Sequence, residues 1–156
     1  MEMHRTPFRS WFVFVIMLLV LASNCNDDCE FETCDASVGF RFGSRGDTAS
    51  VEDFIAITEN DEIIALARSQ LLLPVSERTF HIHGNVTFGN GGYNLDWDWH
   101  FIPADWVLAE ESIEICDVRP SAIGTRLKEL PDSIDIMLAC PLHSYVKSET
   151  LLVLTD

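Results

Sequence analysis

Three histidines and an aspartate stand close together in the chain: His81, His83, Asp98 and His100. Each lies in a run of strict alternation. Phe80, Ile82, Val86 and Phe88 alternate with His81, His83, Asn85 and Thr87, and Leu95, Trp97, Trp99 and Phe101 alternate with Asp96, Asp98 and His100. A period of two puts successive side chains on opposite faces of a strand. The runs are joined by the glycine-rich Gly89-Asn90-Gly91-Gly92-Tyr93-Asn94, which predicts an antiparallel hairpin. With the turn centred between Gly91 and Gly92, His83 faces His100, Asn85 faces Asp98, and His81 lies one pair further out. Imidazoles and a carboxylate on one face suit zinc or copper. The competing reading is a solvated polar face, or histidines covered by a helix and satisfied by hydrogen bonds. Trp97 and Trp99 share the other face with Leu95 and Phe101, which reads as core, with an exposed aromatic platform as the alternative.

Other chemistry is weaker in the sequence. His143 directly precedes Ser144, a spacing that does not make a nucleophile–base pair, and there is no Gly-x-Ser-x-Gly elbow. Acids are so abundant that no carboxylate pair singles itself out for glycosidic work. The glycine-rich loop lacks GxGxxG spacing and a following helix, so phosphate binding is unsupported. Asn85-Val86-Thr87 is a glycosylation sequon on the polar side of its strand, relevant to a eukaryotic secretory pathway. Arg45-Gly46-Asp47 spells an adhesion tripeptide on a turn, where glycine and aspartate belong in any case.

The cysteines set the compartment. Arg5 and Arg9 precede the unbroken apolar run Trp11 to Ala22, which falls short of the ~20 residues that span a bilayer and fits a signal-peptide core. Cleavage is expected before Ser23, a lipoprotein cut at Cys25 being disfavoured by Asn24 and Ala22. Residues 1–22 then form a signal peptide and 23–37 a polar lead-in holding Cys25, Cys29 and Cys34. With Cys116 and Cys140 there are five cysteines, all beyond the cut, and an oxidising compartment makes them disulfides first. A zinc site in the lead-in has three thiolates but matches no paired-cysteine spacing. The odd count leaves one thiol over or pairs it between chains. The expected location is extracellular, or periplasmic in a bacterial host.

The 156-residue chain carries a net charge of −15, which excludes nucleic acid and anionic membrane surfaces as partners. Cleavage removes Glu2, Arg5 and Arg9 and leaves 24 acids against 8 bases, Lys128 and Lys147 being the only lysines.

The elements that must position these residues form one domain over 38–156. Val38, Phe40 and Phe42 predict a first strand, Gly43 to Asp47 a turn, and Val51 to Ile57 a second strand. Thr58 is placed to cap a helix over about 59–72, with Ile63, Ile64, Leu66, Ala67 and Leu71 on one face and Pro74 beyond. Pro103 is expected to end the second hairpin strand. Trp106 and Leu108, then Ile113 and Ile115, suggest a further strand pair or a strand after a bend. A short helix follows over about 120–130, then edge strands at Ile134 to Leu138, Tyr145-Val146 and Leu151 to Leu154. Strands with helices between them read as α+β.

The stretch His81 to Ser121 resembles the N-terminal domain family of a slime-mould calmodulin-binding protein, with similar domains in secreted bacterial chains. The residues that carry it are His81, Gly84, Gly89, Tyr93-Asn94, Trp97, Trp99-His100, Pro103, Ile113-Glu114 and Cys116-Asp117, with Cys140-Pro141 and Ser144-Tyr145-Val146 as a closing segment. The resemblance extends over about residues 38–147 and implies a compact α+β or β-rich domain without a named chemistry. Calmodulin is not supported as a partner: its targets are basic amphipathic helices, whereas the clear helix here carries Glu59, Asp61 and Glu62 against Arg68. Cys116 and Cys140 fall among apolar residues, and the resemblance places them in the body of the domain, so they are expected to pair. The alternative pairs one of them with the lead-in. The expected function is a secreted acidic domain that binds a protein or glycan and does no covalent chemistry. The alternatives are a zinc or copper hydrolase on the histidine hairpin, and a structural cell-surface or matrix domain.

Overall fold

A computed structural model describes residues 37–112 and 114–150. They form a small α+β domain of two three-stranded antiparallel sheets and two helices. The first sheet has β1 (Val38–Ser44) at its centre, flanked by β2 (Phe54–Thr58) and β6 (Ser144–Thr150). The second has β3 (His81–Phe88) between β4 (Trp99–Ala109) and β5 (Ile136–Ala139). Helix α1 (Asp61–Leu71) links the sheets, and α2 (Pro120–Lys128) lies between β4 and β5 in the chain.

The core follows from the alternation. Phe40, Phe42, Phe54, Ala56 and Val146 point inward from the first sheet, and Ile82, Val86, Trp99, Phe101, Trp106 and Ala139 from the second. Phe54 stacks on Phe42 at 5.2 Å between ring centroids and meets Trp99 at 5.5 Å and Phe101 at 5.7 Å, so aromatic contact runs from one sheet to the other. Ile64 and Ala67 of α1 and Ile123 and Leu127 of α2 complete the cluster.

Edge strand β2 is covered rather than left open. Trp97 Nε1 donates to the Asp53 carbonyl, Ile55 N–H donates to Asn94 Oδ1, and Trp106 Nε1 donates to the Ile57 carbonyl. Three side chains from β4 and the loop before it thus satisfy backbone groups on a strand edge that would otherwise pair with another chain.

Several expected boundaries move. Asn60, not Thr58, caps α1, its Oδ1 accepting from the N–H groups of Glu62 and Ile63. Thr58 is buried at the end of β2 and accepts from Asn60 N–H. β2 begins at Phe54 because the Asp47 carboxylate holds Ala49 and Glu52 N–H in a turn. β4 does not stop at Pro103 but runs through it. The register passes from Val86 opposite Phe101 to Gly84 opposite Trp106, so Pro103 sits in a bulge where its missing N–H costs nothing. Glu114–Cys116 is a 3₁₀ turn rather than a strand, with Ile115 83% exposed. The expected strand at Leu151 to Leu154 lies outside the described residues, as do the signal peptide and Cys25, Cys29 and Cys34.

Candidate functional site

Strand β3 is the central strand of its sheet and presents His81, His83, Asn85 and Thr87 away from the core side chains Ile82 and Val86. Its partner register differs from the expected one. Phe88 pairs with Trp99, Thr87 with His100 and His83 with Val107. The turn is therefore long, running from Gly89 to Asp98, and Leu95 and Trp97 lie in it rather than in β4. Successive turns build it: Tyr93 and Asn94 N–H donate to the Asn90 carbonyl, and Trp97 N–H to the Asn94 carbonyl. Gly89, Gly91 and Gly92 all take positive φ, the conformation that L side chains resist. Leu95, read as a core position, is 72% exposed.

This register separates the expected metal ligands. Four residues of β3 divide His83 from the pair Thr87–His100, about 13 Å at the rise of a strand. His100 instead has Nδ1 2.7 Å from the Gly89 carbonyl oxygen and its ring edge-on to Tyr93. Asp98 is exposed and pairs with Lys128 at 2.6 Å. His81, His83, His100 and Asp98 thus do not converge on one ion, and Asn85 does not face Asp98.

His81 and His83 are nevertheless brought together. Ser112 Oγ lies 2.6 Å from His81 Nε2 and 3.0 Å from His83 Nδ1, bridging the two rings. His81 is only 3% exposed, and burial holds its pKa below the usual histidine value. The neighbouring His83 adds to that depression and Asp117 opposes it. Beside them Cys116 and Cys140 form a disulfide, with Cα atoms 5.2 Å apart, so the expected pairing holds. Ser112 carried no signal in the sequence. It lies in an irregular segment, and only the folded path past β4 brings it to β3.

The same sheet face opens into a groove of about 560 Å³. Its walls include Glu59 and Asn60 at the start of α1, His83 and Asn85 of β3, and Asp105 to Val107 of β4. Asn85 Nδ2 donates to Asp105 Oδ2 at 2.7 Å across the bulge. Val107 is 50% exposed and Leu138 43%, two apolar residues on an otherwise polar lining. Glu59 and Asp105 are its charged acids, and no lysine or arginine lines it. Trp106 also reaches the groove but is buried, with its Nε1 committed to Ile57. Trp99 is buried and Trp97 half-buried, so they serve as core rather than as a sugar platform.

The remaining candidates have structural partners. Arg45 donates to the carbonyls of Val75 and Arg78 and lies over the Tyr145 ring, while Asp47 accepts from Ala49 and Glu52 N–H. Those bonds, led by the one from Glu52, hold the Asp47 carboxyl below its ordinary pKa. Both charged ends of the Arg45-Gly46-Asp47 tripeptide are thereby engaged within the domain. Ser144 is buried and its Oγ accepts from Ile82 N–H. Among the described residues, no helix is long and apolar enough to cross a membrane.

The family model that matches the chain describes the N-terminal domain of the calmodulin-binding protein, and it covers residues 36–152, from just before β1 to beyond the end of β6. No curated protein and no solved structure matches the chain. The match takes in both sheets, both helices and the groove, and the chain belongs to this calmodulin-binding-protein N-terminal domain family.

Proposed function

We propose that this is an exported binding domain whose groove takes an extended, basic protein segment. The observation that carries the reading is the lining itself: Glu59 and Asp105 without an opposing cation, beside exposed Val107 and Leu138. Lysine or arginine side chains supply both complements, an aliphatic stem for the apolar residues and a charged head for the carboxylates. The net charge of −15 adds a long-range field that draws cations to the domain. Edge strand β5 flanks the groove through Leu138, giving an extended segment backbone groups to pair with. Export rests on residues 1–22 and on the disulfide, which belongs to an oxidising compartment.

A displayed random-peptide library and a glycan array, both probed with the purified domain, test this. Selected peptides should be rich in lysine and arginine interspersed with apolar residues. Asp105→Asn keeps the hydrogen bond to Asn85 but removes the charge, and should weaken such peptides about 2- to 5-fold, the range of a single exposed ion pair. Glu129→Gln, an exposed acid at the end of α2, should leave binding unchanged. Glycan hits that depend on Asp105, or peptides indifferent to it, contradict the reading.

A further inference from the structure

The disulfide and the groove meet at His83. One ring nitrogen of His83 and the sulfurs of Cys116 and Cys140 all lie within 4.8 Å of one another. We propose that reduction of Cys116–Cys140 converts this corner into a zinc site held by the two thiolates and the His83 imidazole. This assignment stands apart from the peptide-binding reading and requires none of it.

The chemistry balances with a dithiol reductant. Two electrons and two protons pass to the disulfide, its S–S bond breaks to give two thiols, and the dithiol closes to its own cyclic disulfide. Zinc then displaces the two thiol protons to solvent, since thiolate is the ligand. Tetrahedral zinc takes sulfur at about 2.3 Å and imidazole nitrogen at about 2.0–2.1 Å, which sets neighbouring ligand atoms roughly 3.5–3.8 Å apart. The three ligand atoms are already within 4.8 Å, so side-chain shifts of about an ångström build the site.

The surroundings keep the ligands in place once the covalent bond is gone. Cys140 N–H donates to the Cys116 carbonyl at 2.9 Å, a backbone link independent of the sulfurs. Both cysteines are buried. Ser112 Oγ, 3.0 Å from His83 Nδ1, orients the imidazole in the way outer partners orient metal-bound histidines. Soft thiolates with one imidazole select zinc over the hard oxygen-seeking cations. Three protein ligands leave a fourth position for water, and His83 is half-exposed on the groove, so the ion is reachable from it.

The test uses the chain with Cys25→Ser, Cys29→Ser and Cys34→Ser, so that thiolates come from Cys116 and Cys140 alone. A phosphine reduces it, and zinc or cobalt(II) is added. The reduced protein should hold close to one zinc per chain and give a tetrahedral cobalt spectrum with a thiolate charge-transfer band. Zinc should raise its melting temperature and leave that of the oxidised protein unchanged. His83→Ala, shown to be folded in its oxidised form, should lose more zinc affinity than the ~10–100-fold of an outer-partner mutation. Reduced protein that binds no zinc overturns the proposal, as does reduced protein that unfolds and is not rescued by zinc. Binding that survives His83→Ala, or equal zinc in the oxidised protein, overturns it too.

Discussion

A single buried amide ties the glycine-rich loop to both sheets. Asn94 Oδ1 accepts from Ile55 N–H of β2, and its Nδ2 donates to the Trp99 carbonyl of β4. Asn94→Ala leaves two backbone groups unpaired, each worth about 1–3 kcal/mol when buried, so urea denaturation should show a loss of about 2–4 kcal/mol. Its neighbour Tyr93 gives a pH signature. The phenol donates to the Phe101 carbonyl at 2.6 Å, and burial raises its pKa well above the ordinary value. The unfolded chain releases the phenol proton near pH ~10, whereas the folded chain keeps it. Stability should therefore fall as pH rises above about 10, and Tyr93→Phe should flatten that fall in alkaline melts. The alternation of residue types discloses which side chains of β3 face outward but not which histidine meets which. Three positive-φ glycines and a buried Asn94 lengthen the turn, and that conformation is invisible to a count of alternating residues.

Elements with local causes are legible in the sequence, and those fixed by long-range contacts are not. Both helices lie where apolar spacing and prolines put them, and the shift of the α1 cap from Thr58 to Asn60 is two residues. Strand β4 outruns its expected end because Pro103 reads as a terminator, whereas the fold absorbs it opposite Gly84 and Asn85. A Cβ on Gly84 would overlap the Asp105 carbonyl oxygen and the Cα and Cβ of Trp106. Gly84→Ala must push β3 and β4 apart beside a buried tryptophan, and should cost about 1–3 kcal/mol by the same denaturation measurement. The disulfide ties the 3₁₀ turn Glu114–Cys116 to the end of β5 over a sequence separation of 24 residues. Paired Cys116→Ser and Cys140→Ser should cost about 3–4 kcal/mol by loop entropy, which a melt of the double variant reads directly. The apolar neighbours of the two cysteines and the family resemblance make that pairing legible. The groove is not, because its walls come from α1, β3, β4 and β5 and no sequence window holds them together.

The whole molecule is an acidic body with one groove whose charged lining is acidic. Its charge alone excludes nucleic acid and anionic membranes as partners, and the family match assigns the domain without assigning a ligand. Export is a claim at this scale: mass spectrometry of secreted protein should find a chain beginning at Ser23, and an intact Met1 on cell-associated protein would contradict it. General acidity and a specific groove make different forecasts for where a basic segment settles. A diffuse field attracts it everywhere and weakens steeply with salt, whereas an apolar-flanked groove retains it in one place. The direct measurement is a titration of the ¹⁵N-labelled domain with a library-selected lysine-rich peptide at physiological salt. Saturable amide shifts concentrated at Glu59, His83, Asp105, Val107 and Leu138 are the expected result. Shifts spread evenly over the acidic surface, or centred on β1 and β6, would contradict the groove as the binding site.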